Sequence, residues 1–174
     1  SRSHVLRGRF NRIENMTLYS SGTTRIFDIS NLNNSEIINL QITDSSTNMN
    51  DGSSATTNSF VYNNLFGEIR WTNNSFLQDL SIKGVLTFPG KIVISNNSAY
   101  FETSGIIGKI NSSVNITLRN FPGAGKSNLN ILRNGVLCTT CYNFTSLSAS
   151  VVVFNVSYEG NYTINGTVGG GGGG

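Results

Sequence analysis

One run of residues constrains the fold of this chain more than any other: the segment 59–71, SFVYNNLFGEIRW, which holds the only tryptophan, Trp71. It is the densest run of β-branched and aromatic residues in the first half of the chain, and such residues favour strands. No window of the chain has the apolar spacing of an amphipathic helix. The sequence therefore predicts an all-β protein, in which segment 59–71 joins a repetitive N-terminal layer to a compact C-terminal β-domain.

The pattern predicts four segments along the chain. They are an N-terminal arm over 1–12, β-helix-like coils and a polar loop over 13–58, an antiparallel β-sandwich over 59–168, and a Gly-rich linker over 169–174. From segment 59–71 onward, turn signals separate short alternating runs, as in a β-sandwich. Asn134-Gly135 is the preferred dipeptide for a tight hairpin. We predict strands near 60–63, 66–72, 76–82, 84–88, 91–95, 98–103, 113–118, 129–132, 135–138, 150–158 and 161–165.

A short repeat is visible in the N-terminal part. The segment IENMTL at 13–18 matches IINLQI at 37–42, with apolar residues and one asparagine aligned, Asn15 with Asn39. A fixed period of about two dozen residues is typical of stacked coils, as in a right-handed parallel β-helix. The alternative is two unrelated strands in an Asn-rich chain.

Half of the chain is small and polar. Asn, Ser, Thr and Gly account for 83 of the 174 residues, whereas only 12% of the residues are charged. Ten asparagines begin an Asn-x-Ser/Thr acceptor sequence for N-linked sugars, which favours an extracellular, cell-surface protein with covalent N-glycans. The candidates are Asn15, Asn33, Asn73, Asn96, Asn111, Asn115, Asn143, Asn155, Asn161 and Asn165.

The N-terminal arm alternates well enough over 4–10 to form a strand. Such a strand can pair within its own chain or with the sheet edge of a neighbouring copy. We expect the second, strand addition between subunits, with Val5, Leu6 and Phe10 setting the register. The arginines of this arm lack an aromatic platform or a recognition motif, so we expect no nucleic-acid partner.

Two motifs suggest ligands but fit them poorly. The segment GAGKS at 123–127 looks like part of a phosphate-binding loop, but Asn120 stands where that loop needs glycine, and an alternating strand follows. We therefore expect no nucleotide. Asp44, Asn48, Asn50 and Asp51 offer closely spaced oxygen ligands for calcium. They lack the spaced acidic series of a calcium-binding loop, so a solvated polar loop over 43–59 is the preferred interpretation, with no metal.

Cys138 and Cys141 are the only cysteines. A zinc site needs four ligands, and the chain's single histidine, His4, cannot complete the set. A redox pair needs a helix N-terminus, whereas strands surround this pair. A disulfide that closes a tight loop is the preferred interpretation. No arrangement of nucleophile and base is visible, so we expect no enzyme activity and no cofactor.

The Asn-rich units with Asn15 and Asn39, the segments FGEIRW at 66–71, NILRNGV at 130–136 and GNYT at 160–163, and the final glycines resemble archaeal secreted surface proteins. Those proteins combine β-helix coils with a β-sandwich. The resemblance implies a cell-surface or extracellular-fibre role. We expect a structural subunit of a surface filament, fibre or coat, with copies of itself as partners and with other surface proteins or glycans as further candidates. The alternative is an adhesin or carbohydrate-binding module that uses exposed aromatic residues: Tyr100, Tyr142, Tyr158 and Tyr162.

Overall fold

The computed structural model describes residues 4–9, 12–19, 26–43, 48–51, 58–72, 80–83, 87–104, 113–123 and 126–168. All regular secondary structure in these ranges is β-strand, which confirms the all-β prediction. The strands are β1 (His4–Arg9), β2 (Arg12–Glu14), β3 (Thr17–Leu18), β4 (Ile26–Asn33), β5 (Glu36–Ile38), β6 (Gln41–Ile42), β7 (Asn48–Asp51), β8 (Ser59–Asn64), β9 (Gly67–Thr72), β10 (Leu80–Lys83), β11 (Ile92–Ser95), β12 (Ser98–Phe101), β13 (Val114–Arg119), β14 (Lys126–Arg133), β15 (Val136–Leu137), β16 (Tyr142–Asn143), β17 (Val151–Val156) and β18 (Gly160–Val168).

The first eight strands form a parallel stack. Strands β1, β4 and β7 pair in parallel along one side, strands β2, β5 and β8 along a second, and strands β3 and β6 along a third. Ile13 lies opposite Ile37, and Leu18 lies opposite Ile42. These are the positions that the repeat aligned, so the pairing confirms that the two segments are structurally equivalent.

Strand β8 belongs both to the stack and to the sheet that follows it. It pairs in parallel with β5 on one side and antiparallel with β9 on the other. The resulting seven-stranded sheet has the order β16-β17-β13-β9-β8-β5-β2. One hydrogen-bonded sheet therefore crosses the position at which the sequence changes character.

A second, five-stranded sheet is antiparallel, with the order β11-β12-β18-β14-β15. Its β14–β15 hairpin turns at Asn134 and Gly135, which have φ angles of 51° and 81°. Positive φ at both central residues is what the Asn-Gly dipeptide supplies, so the predicted hairpin is confirmed.

Aromatic side chains join the two larger sheets. Trp71 of the seven-stranded sheet packs edge-to-face on Phe101 of the five-stranded sheet, with ring centroids 5.5 Å apart. Phe154 and Tyr162 make a second contact between the sheets at 6.4 Å. All four side chains are at most 1% exposed. The inner faces of the two sheets thus share one apolar core. Burial of apolar surface is its main stabilising contribution.

One prediction about local structure is wrong, and a second is not supported in the part that the structure describes. The segment 43–59 is not one polar loop, because Asn48–Asp51 forms β7 and β8 begins at Ser59. Pairing with β4 and β10 satisfies the β7 backbone despite its polar sequence. The strand predicted over 84–88 is also not found in its described part, where residues 88–91 form a turn at Pro89-Gly90. The remainder of that predicted strand lies outside the described residues.

Candidate functional site

The two ends of the parallel stack differ, and the C-terminal end is covered on two of its three sides, whereas on the side of β7 the edge strand is β10. Strand β8 pairs with β9 at this end, and β7 pairs with β10. On the third side, the Gln41 side chain of β6 binds the backbone of Phe88. Gln41 Nε2 donates to Phe88 O (2.5 Å), and Phe88 N donates to Gln41 Oε1 (2.9 Å). A side-chain amide here substitutes for a neighbouring strand.

The N-terminal end of the stack is open. Within the described ranges, β1, β2 and β3 each pair with a strand on one side only. Asn15 N donates to Ile38 O (2.9 Å), so the peptide group that follows Glu14 turns its N–H inward and its carbonyl outward. A row of such unpaired backbone groups is a template for adding another strand. We call this surface, made by the free edges of β1, β2 and β3, the open end.

The predicted interface strand lies at this open end, paired within its own chain. Val5 is opposite Asp28 of β4, and the register shifts between Val5 and Arg7, where Leu6 is located. Phe10 lies outside the described residues. One edge of β1 therefore pairs with β4 of the same chain. The other edge of β1 faces away from the stack.

An asparagine ladder runs along the stack. Asn39 Nδ2 donates to Asn15 Oδ1 (3.1 Å), and Asn39 Oδ1 accepts from Asn63 N (2.9 Å). Asn15 and Asn39 have φ angles of 52° and 53°, a left-handed conformation that asparagine tolerates better than most residues. The repeat aligned the first two rungs and missed Asn63, although it follows Asn39 at the same spacing. The exposed Asn15 is the terminal described rung, at the open end.

The predicted glycosylation asparagines differ in accessibility. Asn155 Nδ2 already donates to Val114 O (3.1 Å) and Asn115 Oδ1 (2.9 Å), which occupies the nitrogen that a glycan would modify. Because Asn15 lies at the open end, a glycan there and a neighbouring copy would compete for one edge. Asn33 lies in β4, Asn73 and Asn111 lie outside the described residues, and the exposed candidates besides Asn15 are Asn96, Asn143, Asn161 and Asn165.

The described calcium candidates do not lie in a loop. Asn48, Asn50 and Asp51 belong to β7, and Asp44 lies outside the described residues. Among the residues that the structure describes, no group of three or more His, Cys, Asp or Glu side chains could hold a metal ion. The same part of the chain contains no helix long and apolar enough to cross a membrane.

A network of ion pairs ties the stack to the next strands. Arg70 of β9 binds Glu36 of β5 (2.5 Å) and Glu68 of its own strand (2.7 Å). Burial by itself lowers the pKa of the Arg70 guanidinium, but the hydrogen bonds and charges of the two carboxylates more than offset this and raise it. The guanidinium therefore stays charged, and its ion pair with Glu36 connects β9 to β5, which lie on either side of β8.

The cysteine pair lies next to an exposed apolar surface. Cys138 Sγ and Cys141 Sγ are 2.01 Å apart, at disulfide-bonding distance, directly after β15. Tyr142 and Tyr158 near this pair are exposed, whereas Tyr162 is only 1% exposed and Tyr100 is half-buried. Tyr162 therefore cannot act as an exposed aromatic residue, because it is part of the core between the sheets.

Comparison of the chain with known protein families, with curated proteins and with solved structures finds no match.

Proposed function

We propose that this protein is a structural subunit of an extracellular, glycosylated surface filament, fibre or coat. The observation that carries this proposal is the open end, where β1, β2 and β3 have unpaired edges in the described residues. The opposite end is covered beside β8 and β6, which leaves β10 as its edge strand. We interpret the stack as a short parallel β-helix and the two larger sheets as a β-sandwich. Repeat arrays that end without a polar cap usually need a partner to cover that end.

The four-stranded sheet suggests how copies join. Its order is β1-β4-β7-β10, so its two edge strands lie on opposite sides. Addition of β1 of one copy to β10 of the next would use two different surfaces. Such a head-to-tail contact extends into a filament unless its rotation closes a ring. Copies of the chain are thus the proposed partners, and neither a nucleotide nor a nucleic acid is needed.

The sequence composition and the disulfide support an extracellular location. Several acceptor asparagines lie on exposed positions of both larger sheets, among them Asn143 and Asn161. Disulfides persist in oxidising compartments and are rare in reducing ones. The resemblance to archaeal secreted surface proteins implies the same location.

The experiment that tests this proposal compares proline at two adjacent positions of β1. Arg7 and Gly8 lie opposite Asn31 and Leu32 in regular register. Because successive N–H groups of a strand point to opposite sides, Arg7→Pro and Gly8→Pro each remove an N–H from a different edge. We expect one of them to destabilise the β1–β4 pairing. The other should keep the melting temperature of the parent and fail to assemble in sedimentation.

The matched control is Arg7→Ala, which removes the same charge and keeps the N–H. It should assemble like the parent. The proposal would be wrong if the variant that keeps the parental stability also assembles, or if Arg7→Ala loses assembly as completely as proline. In those cases copies would not be joined through the free edge of β1.

The alternative function, a carbohydrate-binding module or adhesin, is favoured by a different observation. Exposed apolar and aromatic side chains cluster around the disulfide, including Leu137, Tyr142 and Tyr158, at 55%, 66% and 50% exposure. This alternative predicts a protein that stays monomeric under conditions in which the first proposal predicts assembly.

A further inference from the structure

A groove lies at the edge of the five-stranded sheet, beside the disulfide. Its volume is about 450 Å³, which is within the usual range for small-ligand sites. Basic, apolar and hydroxyl side chains line it together. They include Arg133, Val136, Leu137, Thr139, Thr140 and Tyr158.

Arg133 is held in place by three neighbours. Its Nε donates to the carbonyl of Glu159 (3.0 Å), and its guanidinium lies over the Tyr158 ring, 5.3 Å from the centroid. Gly160, with a φ of +149°, leaves room for it, since a Cβ there would come within 3.1 Å of Arg133 Nε. The guanidinium is therefore pre-positioned, which reduces the entropy that binding would cost.

In the described residues, Arg133 forms no ion pair with a carboxylate. The nearby Glu159 directs its carboxylate to Thr103, accepting from Thr103 N (2.6 Å) and from the Thr103 hydroxyl. In the described ranges the only hydrogen bond of the Arg133 side chain uses Nε. The two terminal nitrogens thus remain as donors for an anionic ligand, for which a guanidinium is geometrically suited.

The rest of the groove suits a compact amphipathic ligand. Val136 and Leu137 are 71% and 55% exposed, so they form an apolar wall in contact with solvent. Asn134 Oδ1 accepts from Asn161 N (2.8 Å), which leaves the Asn134 amide nitrogen as a donor. Strand β15 has only two residues before the disulfide loop begins, too short an edge to add a peptide strand.

We propose that this groove binds an acidic sugar, such as a uronic acid residue of a polysaccharide. The sugar carboxylate would accept from the terminal nitrogens of Arg133. One face of the sugar ring would pack on Val136 and Leu137, and its hydroxyls would reach Thr139 and Thr140. This inference is independent of the proposed assembly, because the groove lies on the five-stranded sheet and the open end on the stack.

The test is calorimetric titration of the full chain with tetragalacturonate and with the same tetramer fully methyl-esterified. Esterification removes the charge and keeps the sugar. We expect the acid to bind and the ester to bind at least about ten-fold more weakly, because the ester loses the charged hydrogen bonds to Arg133. Arg133→Gln should weaken the acid by a similar factor. The control Arg12→Gln, which removes an equal charge from the stack, should change affinity by less than about two-fold.

Two further measurements guard against a folding defect and against a general anion site. Leu137→Ser alters an exposed side chain, so it should keep the parental melting temperature and weaken tetragalacturonate. Tetra-aspartate, with the same charge and no sugar ring, should bind much more weakly than the sugar acid. The inference is overturned if the parent does not bind tetragalacturonate, if the ester binds equally well, if Arg133→Gln or Leu137→Ser changes nothing, or if tetra-aspartate binds as tightly.

Discussion

The parallel stack and the antiparallel sheets differ in the side-chain interactions that hold them together. In the stack, aliphatic residues such as Ile37, Leu40 and Ile42 are fully buried, and asparagine side chains bond from turn to turn. Between the larger sheets, buried aliphatic residues are joined by aromatic contacts such as that of Trp71 with Phe101. Apolar burial is non-directional, whereas a polar ladder is satisfied in one register only. We infer that the core supplies most of the stability and the ladder fixes the alignment of the turns.

The difference does not divide the chain into independent halves. Strand β8 gives one edge to each region, and Tyr62 of that strand packs on Trp71 while its hydroxyl donates to Leu40 O (2.8 Å). Damage to either side of β8 should therefore affect the other. Four substitutions or conditions test this view, and they follow in order of expected effect.

Truncation of the central aromatic residue should cost the most. Trp71→Ala removes a side chain that is 1% exposed and in contact with Tyr62 and Phe101. Large-to-small changes of this kind cost about 3–5 kcal/mol. Urea denaturation should show a single transition, because β8 couples the regions. Two separated transitions, with the stack unfolding at the parental urea concentration, would show that the regions are independent.

Loss of the middle ladder rung should come next. Asn39→Ala removes the bonds to Asn15 and Asn63 and places alanine, which tolerates the left-handed region less well than asparagine, at a φ of 53°. We expect a loss of about 2–3 kcal/mol in unfolding free energy, from the unsatisfied groups and the backbone strain. Asn39→Gly is the matched control, since it relieves the strain and still lacks the bonds. If alanine and glycine cost the same small amount, the ladder does not hold the register.

High pH should weaken the contact at β8. Burial raises the pKa of Tyr62 well above its ordinary value of 10.0, and burial also raises that of Tyr162. A raised folded-state pKa means that stability is complete below pH 10 and falls as pH rises, since the unfolded chain ionises first. For Tyr62 the slope should approach about 1.4 kcal/mol per pH unit once the pH exceeds its ordinary pKa of 10.0. Thermal melts of Tyr62→Phe between pH 9 and 11, a window set by that ordinary value, should show a shallower decline than the parent. An equal decline would contradict this assignment.

The ion pair across β8 should contribute least. Glu36 and Arg70 are 37% and 29% exposed, so solvent screens their attraction. Glu36→Gln should lower the unfolding free energy by less than about 1 kcal/mol, and added salt should reduce the difference. Glu14→Gln, in the more exposed pair with Arg12, is the control and should be close to neutral. A larger loss for Glu36→Gln would mean that the pair, and not the core, joins the regions.

The sequence predicted features with a strong local cause. Asn134-Gly135 specified its hairpin because few residues tolerate positive φ, and the repeat at Ile13 and Ile37 marked equivalent strands. The polar strand β7 was missed because its pairing with β4 and β10, rather than its composition, makes it a strand.

The candidate sites were predictable only in part. Asn15 and Asn39 were recognised as aligned, but Asn63 was assigned to a different segment and its place in the ladder was missed. The groove at Arg133 had no signal in the sequence. Seven of its eight lining residues lie within 133–140, and the fold adds Tyr158 from the loop before β18.

Amide hydrogen exchange, measured on dispersed and on assembled subunits, tests the central claim most directly. In the dispersed subunit, every second amide of β1 and of β10 should exchange quickly, because one edge of each strand is unpaired. We predict that these same amides become protected on assembly while those of β8, paired on both sides, stay unchanged. Assembly without new protection in β1 and β10 would contradict the account, since copies would then be joined through another surface.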